Sequence, residues 1–290
     1  MDSYDLVKRY RPRGISVTDL SAQLWCEKQL EYSLTEGRKR TKEMQKGGDR
    51  HEEILEEISV LVEVHPKSFE DFIALKLSNS LAGLMQARKD GRGREIPIFG
   101  NVNSLFVVGI IDELCMVDGK LKLIDTKTRK SESMPSVQQS RVTKFQMMIY
   151  KHLFDSIVRG KFKPEDFLLS YHIESDSMIT VDFERQIQKL GLDIEPKLAK
   201  ATEQLFSEIR KMPEVSELEI VYEHQETKKV IGEEKFEFDP IDFKNSCDFC
   251  EEFWIGKRAA LPVGYKNQWK CNYCEFKTKC FSKGLDHYVT

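Results

Sequence analysis

Residues 104–129, with the sequence SLFVVGIIDELCMVDGKLKLIDTKTR, contain the pattern that decides the fold. Two runs rich in Val, Ile and Leu flank Asp118-Gly119, a dipeptide typical of a two-residue β-hairpin turn. In such a hairpin residue 117 faces residue 120, so residues opposite each other have numbers that sum to 237. This register places Asp112 opposite Asp125, with Cβ atoms about 5 Å apart. Because side chains alternate along a strand, Lys127 shares that face.

Two carboxylates placed opposite each other repel unless a cation lies between them. Mg²⁺ or Mn²⁺ would satisfy such oxygen ligands. The alternative is a solvated strand end at which the acids merely pair with Lys127. The rest of the predicted face is apolar and comprises Val108, Ile110, Leu121 and Leu123.

Helical and strand patterns extend from this hairpin in both directions. Helices are predicted over residues 16–32, after Gly47-Gly48-Asp49, over 69–86, 136–159 and 196–211, and from Asp239-Pro240 to Gly256. Strands are predicted over residues 96–102, 104–117, 120–127 and 168–173, followed by a hairpin over 217–238. The order of helix, three meandering strands, helix and strand predicts an α/β core with further helices at both ends.

Two predicted helices carry polar side chains that could join the acids. His51 lies on the apolar stripe of the second helix, whose other members are Ile54, Leu55, Ile58, Leu61 and Val62. Gln146 and Tyr150 are four residues apart and share a helix face. Each also has an ordinary interpretation, because a lone inward histidine is common in cores and the pair fits an amphipathic helix.

Composition excludes several classes of protein. The 290 residues include 45 Lys+Arg and 48 Asp+Glu, a net charge of −3, with 40% hydrophobic residues. These values exclude a disordered chain, a collagen-like chain and a uniformly basic coat protein, and no apolar run is long enough to cross a membrane. Basic residues nevertheless exceed acidic ones by six to two over 37–51, six to one over 127–151 and seven to one over 254–283. Such local excess suits contact with a nucleic-acid backbone.

The cysteines indicate a metal centre or buried thiols in a reducing compartment. The first residues lack an apolar segment and contain two acids, so neither a secretory signal nor a mitochondrial presequence is expected. Cys247-x₂-Cys250-x₂₀-Cys271-x₂-Cys274 has the spacing of a four-cysteine zinc site. Against zinc, Cys247 and Cys250 fall on one helical stripe with Phe243 and Trp254, and the site would leave Cys26 and Cys280 unused.

Together these motifs resemble the RecB-like branch of the PD-(D/E)xK nuclease superfamily. The matching segments occur in the family's order and are GGDRHE around His51, GIIDE around Asp112, DTKTR from Asp125 and QMMIY from Gln146. Cys26 followed by Cys271-x₂-Cys274-x₅-Cys280 resembles the iron–sulfur nucleases of this branch, and RGISVTDL from Arg13 and WIGKR from Trp254 most resemble the exonuclease V family. The resemblance covers residues 12 to 282.

The resemblance implies a restriction-endonuclease-like fold, with a mixed central sheet flanked by helices. It implies that His51, Asp112, Asp125 and the Thr126 carbonyl bind Mg²⁺ or Mn²⁺ and that Lys127 acts on the water and the phosphate. Gln146 and Tyr150 would then position Lys127 or the DNA. The basic side chains expected to contact DNA are those of Arg38, Arg40, Arg129 and Lys130.

The resemblance further implies a [4Fe–4S] cluster on Cys26, Cys271, Cys274 and Cys280, which would staple the N-terminal helix to the C-terminal region. The chain is expected to form one nuclease domain over 1–290, with an N-terminal helical part (1–95), a catalytic core (96–175) and a C-terminal part (176–290).

The expected function is metal-dependent hydrolysis of single-stranded DNA from its ends to short oligonucleotides, in DNA repair or genome maintenance. We expect a monomer in the nucleus or cytoplasm, or in mitochondria without a clear presequence, with a single-strand-binding protein as a partner and no membrane association. The alternatives are a CRISPR-adaptation or AddB-like iron–sulfur nuclease and a zinc-stabilised, non-catalytic nucleic-acid-binding module.

Overall fold

The computed structural model describes residues 6–38, 41–56 and 64–282. The helices are α1 (Leu6–Tyr10), α2 (Val17–Glu36), α3 (Lys42–Glu56), α4 (Phe69–Asp90), α5 (Val137–Val158), α6 (Pro164–Tyr171), α7 (Val181–Lys189), α8 (Leu198–Arg210), α9 (Pro240–Trp254) and α10 (Lys277–Ser282), with a 3₁₀ segment at Tyr265–Tyr273. The strands are β1 (Ile15–Ser16), β2 (Arg92–Val102), β3 (Leu105–Val117), β4 (Lys120–Arg129), β5 (Val215–His224) and β6 (Val230–Phe236).

The strands form one mixed sheet, as the sequence predicts. Strand β3 pairs with β2 and β4 in antiparallel fashion and with the short β1 in parallel. Strand β4 then pairs with β5 in parallel, and β5 pairs with β6 in antiparallel fashion. Helix α4 contacts β2, and α5 contacts β2, β4 and β5, so helices flank the sheet and bury its apolar side chains. The predicted α/β fold with a mixed central sheet is confirmed.

The predicted hairpin register is confirmed pair by pair. The β3–β4 partners run from Val117 and Lys120 to Glu113 and Ile124, and each pair of numbers sums to 237. Asp118 and Gly119 have φ of 50° and 74°, which is the left-handed conformation that the turn requires at both positions. Asp112 and Asp125 occupy the position that follows the last of these pairs.

The predicted apolar face is only partly correct. Leu121 and Leu123 are fully buried, but Ile110 is 45% exposed. In this part of β3 the buried side chains belong to the odd-numbered Val107 and Ile111 instead. The small Gly109 lies on their face, where an added Cβ would stand 2.5 Å from Cε1 of Tyr150.

The prediction of a strand over 168–173 is wrong. Residues 164–171 form helix α6, which begins at Pro164. The residue before it, Lys163, donates a hydrogen bond from its backbone N–H to the Asp166 carboxylate at 2.8 Å. Phe167 and Tyr171 are buried four residues apart, whereas Leu169 is exposed. That spacing belongs to a helix. The parallel neighbour of β4 is therefore β5, which comes from residues 215–224.

Other predicted elements differ mainly at their ends. The second helix begins at Lys42, before the two glycines that were expected to precede it, with the Thr41 hydroxyl accepting a hydrogen bond from the N–H of Met44. Part of its predicted stripe, Ile58, Leu61 and Val62, lies outside the described residues. Helix α2 begins at Val17, and the hydroxyl of the preceding Ser16 caps it by accepting a hydrogen bond from the N–H of Asp19 at 2.9 Å.

The N-terminal and C-terminal helices are joined by a buried polar network. Trp254 Nε1 on α9 donates to Gln23 Oε1 on α2 at 2.8 Å. Arg258 Nη2 donates to Glu27 Oε1 at 2.8 Å, and the N–H of Leu261 donates to Glu27 Oε2 at 2.9 Å. Protein contacts therefore link these two parts of the chain directly. In the described part of the chain, none of the helices has the length and apolar character needed to span a membrane.

Candidate active site

The two acids of the hairpin meet in a buried position. Asp125 is only 1% exposed, and the side chain of Asp112 is 12% exposed. The Oδ2 atom of each is shielded from solvent, and no hydrogen-bond donor from the described residues reaches it. Burial and the neighbouring charge of Asp125 both raise the pKa of Asp112 well above its usual range. Two such oxygens are strongly disfavoured as charged groups unless a cation joins them or one carboxylate takes up a proton.

Lys127 provides one cationic partner. Its Nζ donates a hydrogen bond to Asp125 Oδ1 at 2.8 Å. Burial opposes the charged ammonium, but the charges of Asp125 and Asp112 outweigh burial and raise the pKa of Lys127. The amine is thus held protonated next to the acids. Between Asp125 and Lys127 lies Thr126, which is 6% exposed.

His51 reaches the acids from helix α3. Its Nδ1 atom lies 3.6 Å from Asp112 Oδ2 and 3.6 Å from Glu95 Oε1. One ligand atom from each of His51, Glu95 and Asp112 lies within 4.8 Å of the others, a grouping that could hold a metal ion. The carboxylate of Glu95 raises the pKa of His51, burial lowers it, and Asp112 adds to the increase, which prevails.

Glu95 was missed by the sequence-based prediction. It precedes the predicted strand 96–102 by one residue, but β2 begins at Arg92. A signal was present, because β2 and β3 are joined by a two-residue turn in which Asn103 has φ of 51°. The register arithmetic that links Asp112 to Asp125 would have linked Asp112 to Glu95 in the same way.

Gln146 and Tyr150 on α5 lie beside these groups. Gln146 Nε2 donates to the Tyr150 hydroxyl at 3.3 Å. Burial and the charge of Asp112 raise the pKa of Tyr150, so the phenol stays protonated. The ring of Tyr150 can approach strand β3 because Gly109 has no side chain. The structure thus brings His51, Asp112, Asp125, Lys127, Gln146 and Tyr150 into one neighbourhood.

A groove of about 660 Å³ leads away from Lys127 and Gln146. Its walls include Trp25, Arg38 and Tyr273, and the Tyr273 side chain is among the exposed aromatics. Arg38 lies in this groove with its Nε 3.6 Å from Glu275 Oε1.

The other predicted DNA-binding residues are placed differently. Arg129 has a buried Nε that finds no acceptor among the described residues. Lys130 forms an ion pair with Glu43 on α3. Arg40 lies outside the described residues. Arg38 therefore has the clearest position for contact with a strand that leaves Lys127.

The four cysteines predicted to bind a cluster line one cavity. Cys26, Cys271, Cys274 and Cys280 share it with Trp25 and Lys270 among others. Burial raises the pKa of the thiols of Cys26, Cys274 and Cys280, and the nearby cysteines add to that rise in each case. A cationic centre that binds all four as thiolates would remove this mutual repulsion, so the residues fit an iron–sulfur cluster.

Cys247 and Cys250 stand apart from that cavity. They are 2% and 1% exposed on α9, and the Cys250 thiol donates to the carbonyl of Leu20. Burial raises the pKa of Cys247 to about 12, and it also raises the pKa of Cys250. Both behave as core thiols, so the structure does not assemble the four-cysteine zinc site that the spacing allowed.

Comparisons with known proteins place the chain in a family of nucleases. A family model described as "Exonuclease V - a 5' deoxyribonuclease" matches residues 5–120, 115–217 and 197–281. The chain belongs to the exonuclease V family.

Individual relatives differ in how much they share with the chain. It is 31% identical to "Exonuclease V" of Danio rerio over 291 residues, which cover 96% of this chain and 73% of that protein. It is 30% identical to "Exonuclease V, mitochondrial" of Candida dubliniensis over 88 residues, 30% of this chain and 14% of that protein. A solved structure described as "Crystal structure of SSO0001" has 15% sequence identity to this chain and a TM-score of 0.40. The alignment covers 93% of this chain and 86% of the chain in that structure.

Proposed function

We propose that the protein is a metal-dependent exonuclease that hydrolyses phosphodiester bonds of single-stranded DNA from the 5′ end, on a restriction-endonuclease-like core. The observation that carries the proposal is the buried pair Asp112 and Asp125 with the Lys127 ammonium 2.8 Å from Asp125. A structural ion pair would not need a second buried carboxylate whose Oδ2 atom accepts no hydrogen bond from the described residues. Membership of the exonuclease V family supports the choice of DNA and of the 5′ end.

The residues present fit a divalent cation. The unpartnered Oδ2 atoms of Asp112 and Asp125 supply oxygen donors, His51 supplies nitrogen, and the Thr126 carbonyl is the fourth proposed ligand. Oxygen-rich sets of this kind favour Mg²⁺ or Mn²⁺. When bound, such an ion supplies Lewis acidity that polarises a phosphate and makes water more acidic.

Lys127 stabilises negative charge that develops on the phosphate. Its ammonium stays protonated because of Asp125 and Asp112, so it can donate a hydrogen bond to a phosphate oxygen or orient the attacking water. The Gln146 amide and the protonated Tyr150 hydroxyl limit where the amine and the strand can lie. Removing these donors would leave the strand bound but poorly aligned.

The groove beside Lys127 supports a single strand as the substrate. Exposed aromatic rings and basic side chains along one groove are what single-strand binding uses, because bases stack on rings while phosphates meet cations. Trp25 and Tyr273 would supply the stacking surfaces, and Arg38 the cation. We further propose short oligonucleotide products, a role in DNA repair, and a single-strand-binding protein as a partner.

We also propose that Cys26, Cys271, Cys274 and Cys280 bind a [4Fe–4S] cluster with a structural role. The cavity lies where α2 is kinked at Cys26, close to the groove wall formed by Trp25 and Tyr273. Loss of the cluster would therefore disturb the strand path as well as the fold.

A cleavage assay on end-labelled single strands tests the nuclease proposal. We expect degradation from a free 5′ end with Mg²⁺ or Mn²⁺, none in EDTA, and none by an Asp125→Asn variant that still binds the strand. Protection by a blocked 5′ end is expected, whereas a blocked 3′ end should have no effect. Retained cleavage by Asp125→Asn or in EDTA would contradict the proposal.

A further inference from the structure

Glu95 extends the pair of acids into a row across three neighbouring strands. Strands β2 and β3 pair Arg94 with Glu113 and Ile96 with Ile111, and the position between these pairs sets Glu95 opposite Asp112. Asp112 in turn lies opposite Asp125 in the β3–β4 register. Three carboxylates therefore line up side by side, from β2, β3 and β4.

The backbone of Glu95 departs from the strand to achieve this. Its φ is 49°, in the left-handed region that a glutamate rarely adopts. Its neighbours prevent relaxation, because Ile96 is 1% exposed and the Arg94 guanidinium forms a buried ion pair with Glu113 at 2.6 Å. Residues held in such conformations concentrate at functional sites. The strained backbone carries the Glu95 carboxylate to the side of His51.

The distances suit metal ligands better than hydrogen bonds. Glu95 Oε1 lies 3.6 Å from His51 Nδ1, the same distance that separates this nitrogen from Asp112 Oδ2. That is too long for a hydrogen bond. Two donor atoms bound at about 2.0–2.2 Å to one Mg²⁺ or Mn²⁺ lie roughly 3–4 Å apart.

A second observation indicates that this place can bind a cation. The Oδ2 atoms of Asp112 and Asp125 accept no hydrogen bond from any donor among the described residues, and Asp125 is only 1% exposed. Lys127 bonds the other oxygen of Asp125 and leaves these two unsatisfied. Among the described residues, the ion-pair partner found for Glu95 is His51 rather than any lysine or arginine.

We propose that Glu95 is a further ligand of the divalent cation, so that carboxylates from three adjacent strands and His51 from α3 surround the ion. The inference rests on the proposed function, since it concerns the cation of that site. An additional anionic ligand would tighten cation binding before any DNA arrives.

Manganese titration followed by electron paramagnetic resonance tests this assignment without DNA. Glu95→Gln keeps the size of the side chain but removes its charge. The control is Glu52→Gln, an exposed acid adjacent to His51 on α3 that removes the same charge outside the ligand set. We expect Mn²⁺ affinity to fall at least about tenfold in Glu95→Gln, as for changes around other metal sites, and to stay unchanged in Glu52→Gln. Equal affinity of Glu95→Gln and the native protein would overturn the proposal.

A second comparison separates a ligand from a residue that merely positions His51. In a His51→Gln background, Glu95→Gln should weaken Mn²⁺ binding further, and no added loss would refute direct ligation. Glu95→Asn, which tolerates the left-handed backbone, should melt no lower than the native protein and still lose affinity, so misfolding cannot imitate the result.

The outcomes also distinguish this proposal from the proposed function. If the native protein neither binds Mn²⁺ nor degrades single strands, the proposed function fails. If the native protein does both and Glu95→Gln binds Mn²⁺ normally, only the assignment of Glu95 fails.

Discussion

Replacing Asp112 with asparagine should stabilise the metal-free protein while it abolishes cleavage. Two unit charges about 5 Å apart repel by about 3 kcal/mol at an effective dielectric constant near 20. The bond from Lys127 to Asp125 offsets part of this repulsion. His51, whose Nδ1 lies 3.6 Å from Asp112 Oδ2, and the raised pKa of Asp112, which favours uptake of a proton, offset a further part. We therefore expect Asp112→Asn to raise the free energy of unfolding by about 1–3 kcal/mol, or the melting temperature by about 2–5 °C in a chain of this length.

The assay is thermal unfolding at pH 7 in EDTA and again with excess Mn²⁺. In EDTA the variant should melt above the native protein. With Mn²⁺ the native protein should gain more stability, because a ligand that binds more tightly stabilises the folded state more and the variant has lost a ligand group. A variant that melts below the native protein in EDTA would refute this reasoning. It would show that attraction of Asp112 to its neighbours outweighs its repulsion from Asp125.

Three other predictions concern Lys127, the cysteines proposed to bind the cluster and the half-buried His152. Lys127→Ala should lower kcat for single-strand cleavage by about 10²–10³ with little change in KM; a change confined to KM would instead identify a phosphate contact. Cys274→Ala should lose the visible chromophore, the bound iron and much of the solubility of the pure protein, and a fully coloured variant would contradict the cluster. Burial lowers the pKa of His152, whose Nε2 lies 3.1 Å from the Asn101 carbonyl. As the pH falls below 6.5, His152 therefore takes up a proton more readily in the unfolded chain than in the folded protein, which lowers stability. His152→Gln should therefore lose less stability than the native protein between pH 7 and pH 5 in urea unfolding, and an equal loss would rule out His152 as the cause.

The hairpin was predictable because its turn residues leave few options. Asp118-Gly119 selects a two-residue turn, the turn sets the register, and the register places Asp112 and Asp125 together. Each step is local in sequence. The adjoining turn at Asn103-Ser104 sets its register by the same rule, but its dipeptide is a weaker signal, and for that reason Glu95 escaped notice.

The helix over 164–171 shows where short patterns mislead. A short, mostly apolar run such as LLSYHI over 168–173 fits a buried strand as well as a helix. The deciding signals were Pro164 at the first helical position and the buried Phe167 and Tyr171 four residues apart. A strand placed there would also have left β4 with the wrong parallel neighbour.

The cysteines required tertiary information. Spacing alone permits a zinc site that includes Cys247 and Cys250, although the helical stripe argues against it. Only the packing of α2 against α9 shows that Cys26 lies with the C-terminal three and that the other two are in the core. Contacts between residues more than 200 positions apart are not encoded in any local pattern.

The network between α2 and α9 has a consequence for synthesis of the chain on the ribosome. Gln23 and Glu27 emerge early, but their partners Trp254 and Arg258 are more than 225 residues later. Until those partners emerge, the Gln23 amide bonds only to Glu27 Oε1, at 2.9 Å within α2. The Glu27 carboxylate then has no cation beside it, which disfavours its burial. Since α2 forms one wall of the groove beside Lys127, a nascent chain cannot complete its strand-binding surface before translation has passed residue 258.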